Sequence, residues 1–426
     1  MSSRRIIANC TLVTPLGSSA RKGDEMKRIK NHPHSFIFIE DGIIKATGLM
    51  ADLSTLALSG TTEWIDAEGR IVLPGFVDSH THLIFGGFRP DEFSWRLKGD
   101  TYMSIMERGG GIQSTVNATR AERRDALVEK ARWFIDRMVE MGVTMVEVKS
   151  GYGLDTATEL KMLDSINVLR EDPSSKIDIV STFLGAHAVP KEYAGRISDY
   201  CDLIIREMLP LVKDKAEFFD IFTEKNVFEI EDSRRLLQAA KDAGMKLKLH
   251  ADEIVQLGGA ELAAEMGAVS ADHLLHVSDE GIRRMAEADV VATLLPLTAF
   301  ALKEPYAPAR KFIDAGCAVA LATDLNPGSC FSGSIPLTIA LACIYMDMSI
   351  EEVITALTLN GAAAVGMAHT VGSIEAGKIA NLVMLEFDNI HMLPYYVGMN
   401  CVRSTFRHGE TVFDSSKNNY NIHGKT

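Results

Sequence analysis

The sequence predicts an α/β protein: a (β/α)8 TIM-like barrel carrying a small β-sandwich module built from both chain ends. Three observations predict it. First, from residue 71 to 324 short apolar runs alternate with amphipathic stretches, and strand–helix alternation implies parallel pairing, because each crossover needs a helix. Second, eight such units over about 250 residues is the length of a closed barrel, whereas a doubly wound open sheet, the rival, usually has fewer strands. Third, β-like text fills the two ends outside that region.

In chain order, residues 4–15, 34–48 and 62–73 read as short strands. FIFIEDGIIKATG reads as a hairpin turning at Asp41-Gly42, and residues 22–33 as a charged loop. The barrel strands are expected at 71–80, 142–150, 176–188, 217–222, 245–250, 269–273, 290–296 and 318–324. Between them, runs such as 123–142 and 229–244 carry apolar residues at helical spacing and end near a glycine. After a helix near 350–366, β-like segments at 373–385 and 402–413 are expected to join the N-terminal strands. The expected division is therefore residues 1–70 plus 371–426 for the β module and 71–370 for the barrel. The tail from Asp414 onward is expected to be mobile.

Composition narrows the function classes. The 426 residues are 46% hydrophobic, 24% charged and 7% aromatic, which excludes disordered, collagen-like and coiled-coil chains. No apolar run reaches about 18 residues, so no transmembrane helix is expected. With 44 basic and 57 acidic residues the net charge is −13, a poor match for nucleic acid or an anionic membrane. An anionic ligand must then be met by a few local cations. The basic N-terminus has no apolar stretch or cleavage site behind it. The six cysteines are scattered without a CxxC pair, which suits a cytoplasmic location and argues against disulfides or a thiolate metal site.

Chemistry is expected at the C-terminal strand ends, where such barrels build their sites. The first end carries His80 and His82 in DSHTH, the fifth His250, the sixth His273 and the eighth Asp324. In extended chain, residues two apart face one side, so His80 and His82 both point into the mouth. Imidazoles plus one carboxylate suit Zn2+ or Fe2+ and leave a position for water. Any one of the 12 histidines is ordinarily a surface or satisfied core residue, and HxH alone is a weak signal. The joint pattern across four strand ends is what points to a metal.

Longer stretches carry a resemblance. LPGFVDSHTHLIFGG, HADEI and ATDLNPG resemble the amidohydrolase superfamily of metal-dependent barrels. FGGFRPDEF (85–93), RGGGIQSTVNATR (108–120), KSGYGLD (149–155), TFLGAHAVP (182–190), the 250–274 segment and GSIEAGKIANLV (372–383) resemble its imidazolonepropionase family more specifically. The resemblance covers about 70 to 385 and weakens before residue 65. It implies one divalent metal, zinc or iron, held by His80, His82, His250 and Asp324. The implied reaction opens a five-membered ring: 4-imidazolone-5-propanoate plus water gives N-formimidoyl-L-glutamate. It also implies a homodimer.

Within that reading, Asp324 takes a proton from the water, Glu253 shuttles it, and His273 stabilises the oxyanion. Arg89 matches the residue that grips the propanoate, since a guanidinium holds a carboxylate at two points. Tyr152 and His187 match further substrate contacts, although by position alone Tyr152 reads as loop packing and His187 as a core histidine. Asn326, Gly328 and Ser329 match polar contacts, although NPG also makes a plain turn. Lys225 stands near the place where two-metal relatives carry a bridging lysine, and the residues alone leave that open, since strand phase is not fixed by sequence. The rival reading is an aminohydrolase, a deaminase of a heterocyclic base, which leaves Arg89 without a carboxylate. A non-catalytic barrel serving as a scaffold is the third.

Overall fold

Eight parallel strands pair in chain order around a barrel: Phe76–Asp78, Val143–Lys149, Asp178–Ala186, Phe218–Thr223, Lys246–Ala251, Ser270–His273, Val291–Leu294 and Val319–Leu321. They are called the first to eighth barrel strands below. The structure is a computed structural model that describes residues 3–56, 61–100, 108 and 110–418. The first and eighth strands meet at the mouth, where Thr81 bridges Leu325. There His82 N–H donates to the Leu325 carbonyl at 2.9 Å and Asp324 N–H to the His80 carbonyl at 3.0 Å. The barrel's closing seam therefore runs between metal-ligand candidates.

Helical spacing buries one face of each crossover. Arg124–Glu140 buries Leu127, Val128, Ala131, Phe134, Ile135 and Met138, and Ile230–Asp242 buries Leu236, Leu237 and Ala240. This is the three-and-four repeat of a helix lying on a sheet. Gly142 and Gly244 end these helices at φ +85°, a conformation glycine adopts without steric cost. The expected helix at 350–366 is broken at Thr358 into Ile350–Leu357 and Leu359–Ala364.

The two ends do form one sheet. Arg4–Pro15 pairs with Ile29–Glu40, which pairs with Ile43–Leu49. Ile71–Pro74 joins Arg4–Pro15 to Leu382–Leu385, followed by Val402–Arg407 and Glu410–Asp414. Ile7, Leu12, Ile37, Val72, Leu382 and Phe406 share a core separate from that of the barrel. The hairpin turns at Asp41 and Gly42, both in the left-handed region.

Four expectations need correction. Residues 29–33 are strand rather than loop. Among the described residues they pair only with Arg4–Pro15, and an edge without a strand partner tolerates charge and Pro33. The run 62–73 is two strands, Glu63–Asp66 and Ile71–Pro74, split by a turn. The run 71–80 is also two strands: Ile71–Pro74 belongs to the end sheet and Phe76–Asp78 to the barrel, with Gly75 between them. A Cβ on Gly75 would lie 2.2 Å from Thr144 Oγ1. Of 373–385 only Leu382–Leu385 is strand. The expected mobile tail lies, from residue 419, outside the described residues.

Candidate active site

Three strand ends, the first, fifth and eighth, deliver the metal-ligand candidates to one point. The Nε2 atoms of His82 and His250 are 3.3 Å apart. Asp324 Oδ1 is 3.6 Å from Nε2 of both His80 and His82. Donors about 2.0–2.1 Å from one tetrahedral centre stand about 3.3–3.4 Å from each other, so the spacing fits a divalent cation. The outer atoms of His80, His250 and Asp324 are turned away from that centre and face polar neighbours. His80 Nδ1 meets Asp272 Oδ2 at 2.6 Å, His250 Nδ1 lies 3.1 Å from Asp220 Oδ2, and Asp324 Oδ2 accepts the Thr298 hydroxyl at 2.6 Å. His80 Nε2 and Asp324 Oδ1 are buried with no protein hydrogen-bond partner. Buried polar atoms are normally paired, and a cation between these two would pair both. Burial also pushes the His80 and His82 imidazoles well below their ordinary range, which leaves them neutral, the form that ligates. Among the described residues, His80, His82 and His250 form one candidate ligand group and His80, His273 and Asp324 an overlapping one.

The proton-handling candidates stand beside this point. Glu253 Oε2 is 3.5 Å from His273 Nε2. Burial, with the Asp324 charge nearby, raises the Glu253 carboxyl to about 8, and burial raises Asp324 to about 6. His273 is held neutral by burial. Glu253 itself sits on a braced segment. The Asp252 carboxylate accepts four backbone N–H groups, from Leu257 to Ala260, and Glu224 Oε2 accepts Ile254 N–H at 2.8 Å.

The substrate-contact candidates line one wall. His187 is half-buried and stacks on His82, with centroids 5.0 Å apart and rings 20° from parallel. Its Nδ1 lies 3.0 Å from the Gly151 carbonyl, so it belongs to the site wall and not to the core. Tyr152 stands 5.2 Å from His187 and 5.8 Å from His82, ring to ring. Arg89 ends the loop after the first strand, with only 12% of its side chain exposed and Nε unpaired. Among the described residues its nearest carboxylate is Glu92, 3.6 Å away. Arg89 Nη2 lies so close over Gly328 that a Cβ there would come within 1.8 Å. Asn326 Oδ1 accepts the N–H groups of Gly328 and Ser329, each at 2.8 Å, so the NPG turn exists and also backs the arginine.

Lys225 is exposed beyond the fourth strand. Asp220 and Phe222 take that strand's two positions near His250. Sequence reasoning missed Asp220, Asp272, Thr298, Lys149 and Lys248. All five are fully buried. The available signal was a charged residue at alternate positions of an otherwise apolar strand, as in EVK at 147–149 and FFD at 218–220.

Residues 71–412 match the amidohydrolase family. The imidazolonepropionase of Phocaeicola vulgatus is 60% identical over 411 residues, covering 96% of this chain and 99% of that one. That of Clostridium tetani is 54% identical over 414 residues, covering 96% and 98%. The chain belongs to the imidazolonepropionase branch of the amidohydrolase family. A 5-methylcytosine deaminase from Klebsiella pneumoniae has the same fold, with a TM-score of 0.72 over 99% of both chains, at 17% identity. A likeness that remote speaks for the architecture alone. The family's metal-dependent barrel is thus built here with a His-rich candidate divalent-metal site. No described helix is long and apolar enough to cross a membrane.

Proposed function

We propose that the chain hydrolyses the ring amide C–N bond of 4-imidazolone-5-propanoate, giving N-formimidoyl-L-glutamate, with its metal held by His80, His82, His250 and Asp324. Membership of a branch whose relatives carry this name at up to 61% identity supports the reaction. The observation that carries it in the structure is Arg89, a largely buried guanidinium with an unpaired Nε, set beside a His-rich donor cluster. A propanoate would supply the carboxylate that Arg89 lacks at hydrogen-bonding distance among the described residues.

His80, His82, His250 and Asp324 would hold a divalent cation, which would lower the pKa of a coordinated water to about 7 and so make a nucleophile available at neutral pH. The protein's own groups do the rest. Water adds to the ring carbonyl carbon, the C–N bond breaks, and the leaving nitrogen gains a proton. Asp324, whose carboxylate lies beside the donor imidazoles, accepts a proton from the water. Glu253, raised to about 8, carries a proton at neutral pH; it gives that proton to the leaving nitrogen and then takes up the one held by Asp324, so one proton passes from the water to the leaving nitrogen. His273 donates to the carbonyl oxygen as charge develops there. Arg89, Tyr152, His187 and the Asn326, Gly328 and Ser329 turn orient the ring and its propanoate. The six free thiols support a reducing, cytoplasmic setting.

The test follows loss of imidazolonepropanoate absorbance with metal-loaded enzyme. No loss, together with ammonia release from a guanine-like or cytosine-like base, would replace this reading with the aminohydrolase one.

A further inference from the structure

We infer that Lys149 is a positioning residue of the metal centre, tying together the two carboxylates that aim His80 and His250. Barrel interiors are usually filled by layers of branched apolar side chains. Here the layer beneath the mouth holds Glu147, Lys149, Asp220, Lys248 and Asp272, all with no exposed surface. Such a layer is costly unless its charges meet, so its arrangement calls for a reason.

The contacts supply one. Lys149 Nζ lies 2.7 Å from Glu147 Oε1, 2.8 Å from Asp220 Oδ2 and 3.9 Å from Asp272 Oδ2. Asp220 Oδ2 is the atom 3.1 Å from His250 Nδ1, and Asp272 Oδ2 the atom 2.6 Å from His80 Nδ1. A single ammonium therefore faces the same oxygens that face two ligand imidazoles, one from the first strand end and one from the fifth. Asp272 is hydrogen-bonded to His80 Nδ1 and Asp220 stands 3.1 Å from His250 Nδ1; a carboxylate so placed favours hydrogen on Nδ1 and leaves the Nε2 lone pair toward the cation position. Burial alone would strip Lys149 of its proton, but Asp220, Glu147 and Asp272 outweigh it and keep the ammonium charged.

The two arms differ. Asp272 has other support: Lys248 Nζ at 3.4 Å and the Ser270 hydroxyl, which donates to Oδ1 at 2.7 Å. Asp220 Oδ1 takes only the Ile221 N–H, and Lys149 is the one lysine or arginine in ion-pair contact with Asp220 among the described residues. Loss of Lys149 should therefore loosen His250 more than His80.

The inference rests on the metal-site reading above, and the experiment separates the two. Metal-free wild type, Glu147→Gln, Asp220→Asn and the charge-balanced pair Glu147→Gln/Lys149→Met are titrated with Zn2+ against a chromophoric chelator, and their metal-free melting is recorded. The expected result is a Zn2+ dissociation constant raised about 10- to 100-fold in the pair relative to Glu147→Gln alone. Asp220→Asn should show a similar rise. Adding the Lys149 change to Asp220→Asn should raise it little further, since both break one chain. A value for the pair within twofold of Glu147→Gln overturns the inference. So does full additivity of Lys149→Met with Asp220→Asn. Should the pair fail to fold, Asp220→Asn decides: being isosteric, it must still lose affinity, and an unchanged constant overturns the inference. Wild type that takes up no Zn2+ would instead overturn the metal-site reading itself.

Discussion

Gly328→Ala tests the carboxylate pocket without touching the arginine in it. A Cβ at this position would stand 1.8 Å from Arg89 Nη2, 2.6 Å from Cζ and 3.1 Å from Nη1. Ordinary contact begins near 3.4 Å, so the guanidinium must retreat by about 1.5 Å. The turn cannot give way instead. Asn326 Oδ1 holds the Gly328 and Ser329 N–H groups, and Asn326 Nδ2 donates to the Asp324 carbonyl at 2.8 Å. Moving the turn would thus move a metal-ligand candidate. A guanidinium displaced this far loses its two-point grip on a carboxylate, worth about 1.5–3 kcal/mol for hydrogen bonds to charged groups. At about 1.4 kcal/mol per decade, KM for the propanoate substrate rises about 10- to 150-fold. Steady-state absorbance kinetics on Gly328→Ala, Arg89→Ala and the double variant measure this. The two single variants should raise KM alike, and the double no further. A Gly328→Ala KM within twofold of wild type beside a raised Arg89→Ala KM would refute the steric argument. An unchanged Arg89→Ala KM would remove Arg89 from binding altogether.

Three further outcomes follow from particular contacts. In the metal-free chain Glu253, raised to about 8, holds its proton in the folded state at a pH where the unfolded chain has released it. Wild-type stability therefore falls as pH rises from about 4.5 to about 8. Glu253→Gln should remove its share of that fall, leaving the variant more stable than wild type above pH 8 by on the order of a few kcal/mol, with the gap closing toward pH 4.5; urea unfolding at several pH values checks it. Stripping metal with a chelator should lower the melting temperature, and restoring Zn2+ to about 100 times its dissociation constant should add about 2.7 kcal/mol of stability, whereas equal melting of both forms would count against the donor cluster. Gly75→Ala sets a Cβ 2.2 Å from Thr144 Oγ1 at the junction of barrel and end sheet, and should cost about 1–3 kcal/mol in calorimetry.

The parts of this molecule that repeat were legible in its letters. The strand–helix alternation yielded all eight barrel strands, because period two and period 3.6 are local properties. His80 and His82 were legible for the same reason: they extend the first strand and stay two apart. Strand ends were less so. Nothing local tells IVLP from FVD in 71–80, since the break at Gly75 is set by two different neighbours, Asn381 and Gly142. His187 looked like core because its flanks are apolar, and only its stacking on His82 shows that those flanks are the barrel wall. Asp220 and Asp272 were hidden by excess: in an acidic chain a single carboxylate draws no notice until a histidine is found against it.

Backbone conformation at the mouth shows why the remaining geometry lay beyond pattern reading. Leu154, Asp252, His273, Leu274 and Asp324 all have φ between +49° and +77°, in the left-handed region that side chains other than glycine enter at about 1 kcal/mol or more each. All five lie at or just past the C-terminal ends of barrel strands. Alternation along an extended strand predicts where a side chain points only while the chain stays extended. Asp324 lies three residues past the eighth strand, which ends at Leu321, and its φ of +53° departs from that pattern. Its carboxylate reaches His80 and His82 because the chain turns there and Thr298 holds its second oxygen. His273, at φ +77°, leaves the sixth strand in the same way and meets Glu253. The closed hydrogen-bonded barrel offsets these local costs, and they fall where the donors converge. An ordinary βα connection, with nothing to aim, would place glycine or asparagine at such positions; here an aspartate and a histidine occupy them, and the turn sets their side chains beside His80, His82 and Glu253.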